Sequence, residues 1–271
     1  GSVKDFRTSI AALFLWISAA FFSTTAMAGV PLIAAAASIR PALEEISTRY
    51  NEVTGESVRL VFGSSGTLAN QIANGAPYVL FLSANTAYVR WLAGLGLTQG
   101  PPVTYAEGVL ALYSRSGLLG ETENPLMALD SALQHGVVKR LVIANPEYAP
   151  YGSAARAALE HAGSWTRARP VLLLGANAGQ AVQYALQGDV DVALVPLPLA
   201  RLAKLQETGQ LQVLPKETFP SVELHQQMVL LPGADQKTHE FFAYLQSIDS
   251  QEIFMRHGLL VPSPVNLTLQ P

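Results

Sequence analysis

Residues 62–77 read FGSSGTLANQIANGAP. Two adjacent hydroxyls, Ser64 and Ser65, stand between Gly63 and Gly66, and a helical pattern starts at once. Such a stretch suits three chemistries: a tight turn, a serine nucleophile, or a cradle for something negative. The nucleophile elbow G-x-S-x-G does not fit, because only two residues separate the glycines. A phosphate-gripping G-x-x-x-x-G-K-[ST] is absent. The five histidines, His135, His161, His225, His239 and His257, are scattered and form no H-E-x-x-H pair. His135, His161 and His257 fall at predicted helix ends, where a cation is favourable. A triad assembled across space stays open, which keeps an exported serine hydrolase as an alternative. Without cysteine there is neither a thiolate metal site nor a cysteine nucleophile.

The anion cradle gains weight because its design recurs. At four places an apolar run ends, small or hydroxyl residues follow, and a helical pattern begins. They are AAAASIRPALEE with Ser38, VFGSSGTLANQI with Ser64 and Ser65, IANPEYAPYGSAARAAL with Tyr151 and Gly152, and LLLGANAGQAVQYAL with Asn177 and Ala178. A helix start carries free N–H groups and a partial positive charge. Several aimed at one point bind an anion without lysine or arginine. Taken singly, each is also what a plain helix cap looks like. In open α/β sheets, however, ligands sit at the carboxyl ends of strands.

The elements that must position these residues alternate. Short apolar runs predict strands at 32–37, 58–62, 79–83, 109–114, 141–144, 171–174, 190–195 and 227–231. Helical spacing predicts helices at 39–54, 66–74, 87–93, 152–162, 178–187, 199–208, 237–246 and 251–256. Alternation of this kind is the mark of α/β layers with mostly parallel sheets.

Ahead of the first strand, Lys4 and Arg7 precede an apolar run from Ile10 to Phe22, and Ala26-Met27-Ala28 is a small-residue cleavage pattern. This reads as a secretory signal peptide cut after Ala28, and Gly1-Ser2 as a tag scar, so that 1–28 stand apart from the folded chain. The apolar run is shorter than the ~20 residues that span a bilayer. Of the 271 residues 14% are charged, and the net charge is −3. Nothing here is basic enough to suggest a nucleic-acid partner.

At the four junctions the sequence resembles the periplasmic molybdate-binding proteins of ABC-type importers. The matching stretches are AAAASIRPALEEISTRYNEVTG, VFGSSGTLANQIANGAP, FLSAN, IANPEYAPYGSAARAALE and EIFMRHGL, spread from about residue 30 to 261. The resemblance implies an α/β, two-lobed Venus-flytrap fold, each lobe a mixed, mostly parallel sheet flanked by helices. Lobe 1 would be 29–107 with 227–271, and lobe 2 would be 108–226. It implies a monomeric periplasmic receptor, not an enzyme and without a cofactor, that delivers molybdate or tungstate to a membrane permease. Sulfate or another tetrahedral oxyanion is the alternative ligand, and a sensor presenting its loaded form is an alternative role. The anion would be held by Ser38 and Ser65 in lobe 1 and by backbone N–H groups of Tyr151 and Ala178 in lobe 2. Ser64, Gly152 and Asn177 stand close by, and no side chain ligates the metal directly.

Two departures stand out. Some members place a tyrosine hydroxyl where this chain has Pro196, which cannot donate; the Tyr151 phenol is expected to replace it. Val79 stands where the family carries an aspartate. A site made of donors favours a fully deprotonated dianion. Hydrogen phosphate would leave a polar group unpaired, at a cost of about 1–3 kcal/mol.

Overall fold

The computed structural model describes residues 29–262, and the expected leader with its cleavage point after Ala28 lies outside the described residues. The first lobe contains β1 (Leu32–Ala36), α1 (Arg40–Thr54), β2 (Arg59–Gly63), α2 (Ser65–Ala73), β3 (Leu80–Leu82), α3 (Ala87–Gly94) and β4 (Gln99–Glu107). The second contains β5 (Leu110–Arg115), α4 (Pro125–Gln134), β6 (Leu141–Ala144), α5 (Pro150–His161), α6 (Trp165–Ala168), β7 (Leu172–Gly175), α7 (Ala178–Leu186), β8 (Val192–Pro196), α8 (Leu197–Leu202) and β9 (Gly209–Leu214). The chain then returns to the first lobe as β10 (His225–Leu230), α9 (Gln236–Tyr244) and α10 (Ile248–Arg256).

Each lobe is one five-stranded sheet, in the order β2-β1-β3-β10-β4 and β7-β6-β8-β5-β9. The two orders are the same pattern. In each, three parallel strands connected through helices lie on one side, and an antiparallel strand closes on the third of them. That closing strand is the one at the crossover between lobes: β10 in the first sheet, β5 in the second. Each sheet therefore has two parallel and two antiparallel pairings, because the crossover strand alone runs against the other four and pairs on both its sides.

The central strands are buried on both faces, as their unbroken apolar runs require. On the first sheet, Ile33, Leu43, Ile46, Phe241 and Phe254 pack on one face, and Leu68, Phe81 and Leu92 on the other. On the second, Leu112, Leu129, Ile143 and Leu159 oppose Tyr113, Val142, Val182 and Val195.

Several elements depart from the sequence pattern. The edge strands β4 and β9 are not apolar runs: β4 carries Pro101 and Pro102, which only an edge tolerates, and β9 alternates glutamine with apolar residues. The helix expected over 199–208 begins earlier, with Pro198 in its first turn, and stops at Leu202. Lys204 then adopts a left-handed φ of 56° before a short 3-10 turn at Leu205–Glu207. In α4 the Asn124 side chain accepts from Met127 N–H and Pro125 opens the helix, a start signal present in the sequence but outside the predicted elements.

Candidate functional site

The four strand-to-helix junctions meet at the cleft between the lobes. Ser38 sits in the 3-10 turn Ala37–Ile39 that follows β1, Ser64 is the N-cap of α2, and Ser65 is its first residue. Across the cleft, Tyr151 lies in the first turn of α5 and Ala178 is the first residue of α7. These five residues, with Ala36, Ala37, Gly63, Ala84, Ala149 and Pro150, line one small cavity. Its centre leaves about 10 Å³ for a sphere of water size, room for one small molecule. None of the lining residues carries a charge.

The polar groups of the cavity differ in how they are committed. Ser38 Oγ is buried and has no hydrogen-bond partner in the protein. Ser65 Oγ accepts from Ala84 N–H at 3.0 Å, which leaves its own hydrogen to donate. Ser64 Oγ donates to Thr67 Oγ1 at 2.7 Å, so its hydrogen is spent within the first turn of α2. The backbone N–H groups in the first turns of α2, α5 and α7 have no acceptor along their own helices. Together these supply a focus of positive potential and hydroxyl donors in a pocket without a cation.

Tyr151 is buried, and its hydroxyl accepts from Gln226 Nε2 at 3.2 Å. Burial pushes the phenol well above the ordinary tyrosine value, against the pull of the Gln226 amide and the Val109 N–H. It therefore stays protonated, and remains a donor, throughout the physiological range. Gly152 does not line the cavity; it fits against Ala144, whose carbonyl oxygen a side chain there would overlap. Asn177 faces away as well. Its Oδ1 caps α7 by accepting from Gln180 N–H at 2.9 Å. Pro196 ends β8 opposite Leu110, close to the Gly108–Val109 segment that the Tyr151 hydroxyl reaches. Val79 spends its backbone on Leu32 and Leu231 at the start of β3, away from the cavity.

The lobes touch at the cavity rim. Gly66 N–H donates to Tyr148 O at 2.8 Å, and Tyr88 Oη donates to Glu147 O at 3.2 Å. A β-carbon at Gly66 would come within 2.8 Å of that same carbonyl oxygen. Only glycine lets α2 approach the opposite loop so closely. These rim contacts, and the buried Tyr105 and Gln226 behind the cavity, carry no local sequence signal; they arise from the pairing of distant strands. A larger groove of about 700 Å³ opens beside the cavity and is lined by Arg40, Phe62, Asn177, Gln183 and Leu202. It faces solvent and borders the starts of α1 and α7, but it holds no buried, unpartnered hydroxyl, so the smaller cavity is the better-built site.

Among the described residues no histidine hydrogen-bonds Ser64 or Ser65: His135 and His239 bond to backbone carbonyls, and His257 pairs with Glu45. No group of three or more His, Asp or Glu side chains among them is placed to hold a cation.

Comparison with known proteins returns the same two-lobed architecture. Residues 31–260 match the bacterial extracellular solute-binding protein family. The chain belongs to that family. Among its relatives, the molybdate-binding protein ModA of Azotobacter vinelandii is 31% identical over 191 residues, covering 70% of this chain and 73% of the relative. ModA of Rhodobacter capsulatus is 28% identical over 234 residues, covering 86% and 89%. The solved periplasmic molybdate-binding protein of Azotobacter vinelandii superposes with a TM-score of 0.76 at 26% identity, over 86% of this chain and 100% of that one. These family members are binding proteins, and this chain is a binding protein and not an enzyme.

Proposed function

We propose that this protein captures molybdate, and with it tungstate, outside the cytoplasm and delivers it to the membrane permease of an ABC importer. The observation that carries this reading is the uncharged cavity in which Ser38 keeps a buried, unpartnered hydroxyl while three helix starts converge on it. The relatives' molybdate binding points to the same ligand class. In this reading Ser38 and Ser65 donate hydroxyl hydrogens, Tyr151 and Ala178 donate backbone N–H groups, and the Tyr151 phenol supplies the donor that Pro196 cannot. Ser64 completes the wall, and Gly152 and Asn177 shape the helix starts behind it. The protein acts as a monomer whose lobes, divided at the crossovers near 107–108 and 225–227, close on the anion. The closed form is the one the permease reads. Export rests on the leader ending at Ala28.

Titration calorimetry with molybdate, tungstate, sulfate and phosphate tests this reading. Tight binding of the first two with weak sulfate is the expected result. Preference for sulfate would make this a receptor for a smaller oxyanion, and binding of none would overturn the reading.

A further inference from the structure

Behind the cavity lies a chain of buried polar side chains that anion capture by serines and helix starts does not require. Tyr105 in β4 and Gln226 in β10 belong to the two strands at the crossovers, and Gln226 is 0% exposed. Tyr105 Oη lies 3.0 Å from Ser83 O and 2.9 Å from Gln226 Oε1. On the far side of the amide, Gln226 Nε2 donates to Tyr151 Oη at 3.2 Å. The chain therefore runs from the end of β3 in one lobe to the cavity wall in the other. The backbone makes room for it. A β-carbon at Gly108 would overlap Tyr151 Oη and come within 2.8 Å of Gln226 Nε2.

We infer that Gln226 is a positioning residue for the anion site: its amide, held by Tyr105, directs the hydrogen of the Tyr151 phenol into the cavity. This rests on the oxyanion reading above. The argument is a count of hydrogens. A tyrosine hydroxyl has one hydrogen and can accept through its oxygen. With Gln226 Nε2 donating to that oxygen, the phenol's own hydrogen is not spent on Gln226 and is left for the cavity that Tyr151 lines. A primary amide turned by half a rotation exchanges donor for acceptor with almost no change of shape. Turned so, Oε1 takes the Tyr151 hydrogen, Nε2 donates to Tyr105 Oη, and the Tyr105 hydrogen goes to the Ser83 carbonyl. In the first arrangement the single Tyr105 hydrogen serves either Gln226 Oε1 or Ser83 O and the Tyr151 hydrogen needs the anion; in the second every hydrogen of the chain has an acceptor. An anion in the cavity selects the first, because it needs a donor; the empty cavity leaves the second. A glutamine at this position thus lets a buried phenol donate to the ligand when it is present without being orphaned when it is gone.

The test is a double-mutant cycle on the full chain, read by titration calorimetry with sodium molybdate, with thermal melts of each unliganded variant to verify folding. Tyr151→Phe and Gln226→Leu are each expected to weaken binding about 10-fold, and the double variant also by about 10-fold, because the first removes the phenol donor and the second the amide that orients it. Gln226→Glu keeps the size and, at a pH where its carboxyl is ionised, can only accept; it then holds the phenol hydrogen and adds a negative charge behind the cavity, and is expected to bind about 100-fold more weakly than wild type. If Gln226→Leu does not fold, Gln226→Met replaces it in the cycle. Losses that multiply to about 100-fold in the double variant would mean that Gln226 acts independently of Tyr151, and would overturn the inference. Unchanged binding by either single variant would also overturn it, as would wild-type affinity in Gln226→Glu. Failure of the wild-type protein to bind any tetrahedral oxyanion would remove the oxyanion reading and this inference together.

Discussion

On the first lobe's side of the cavity the polar groups are serine hydroxyls, Ser38, Ser64 and Ser65; on the second lobe's side the helix starts present Tyr151 and Ala178, one of which has no polar side chain at all. Both walls are cut from the same sheet pattern, with the cavity at the carboxyl ends of corresponding strands. The difference lies in what each wall asks of its sequence. A hydroxyl wall needs particular side chains and is sensitive to their loss. A backbone wall needs only a strand ending and a helix starting in the right place, so its residues are free to vary provided that the N–H remains. An anion held between the two would bridge the lobes, and each wall would be incomplete without the other.

The largest effect should come from keeping the walls apart. Gly66→Val places side-chain atoms against Tyr148 O, where α2 meets the opposite loop, and against the Tyr88 phenol that bonds to the same loop. If the competent state is the closed one, molybdate affinity should fall by about 100-fold or more, and small-angle scattering should show no compaction on adding the anion. Next is the backbone wall. Ala178→Pro removes one N–H at the first position of α7, where proline fits, and Asn177 already has the extended backbone that must precede it. Calorimetry should show affinity lower by about 10- to 100-fold, with the helix signal in circular dichroism intact.

The hydroxyl wall should then divide. Ser38→Ala should weaken binding by about 10-fold, yet the empty protein should melt no lower, because the lost hydroxyl had no partner to lose. Ser65→Ala should weaken binding similarly and also destabilise the empty protein by about 1 kcal/mol, because Ala84 N–H loses its acceptor. Equal melting behaviour of the two would contradict the distinction drawn between them.

The smallest effect is that of pH. The phenol of Tyr151 is the one titratable side chain on the cavity wall, and burial raises its folded value. A raised value keeps the donor form populated, so its contribution is fully present below the ordinary tyrosine range and is lost only as pH rises through the higher folded value. Molybdate affinity should accordingly be flat between about pH 6 and 9. A fall within that window, measured by calorimetry at fixed ionic strength, would assign the site a titrating group that the cavity does not contain.

Much of the framework was legible in the sequence, because buried parallel strands are short apolar runs and the helices between them keep a helical apolar spacing. Leu141–Ala144 coincides with its expected bounds, and the helix from residue 40 ends at Gly55, which takes a left-handed φ of 75°. The edge strands escaped because an edge need not be apolar: Pro101 and Pro102 in β4 break the pattern without breaking the sheet. The helix expected over 199–208 was misjudged because apolar residues continue past Leu202 although the backbone does not. At the site, the four junctions could be read locally, since each is a strand end followed by small residues. That all four face one cavity is a property of the topology, and the sequence reached it only through the family resemblance. The rim contact of Gly66 with Tyr148 and the chain from Tyr105 through Gln226 to Tyr151 join residues far apart in sequence, and nothing local to either partner announces them.

The most direct test of the two-walled site is a crystal structure grown with tungstate, whose anomalous scattering marks the metal atom without ambiguity. The account predicts a single strong peak in the cavity, with anion oxygens within hydrogen-bond distance of Ser38 Oγ, Ser65 Oγ and the N–H groups of Tyr151 and Ala178. A peak elsewhere, such as in the groove beside Arg40 and Phe62, or an anion touching one wall alone, would contradict it.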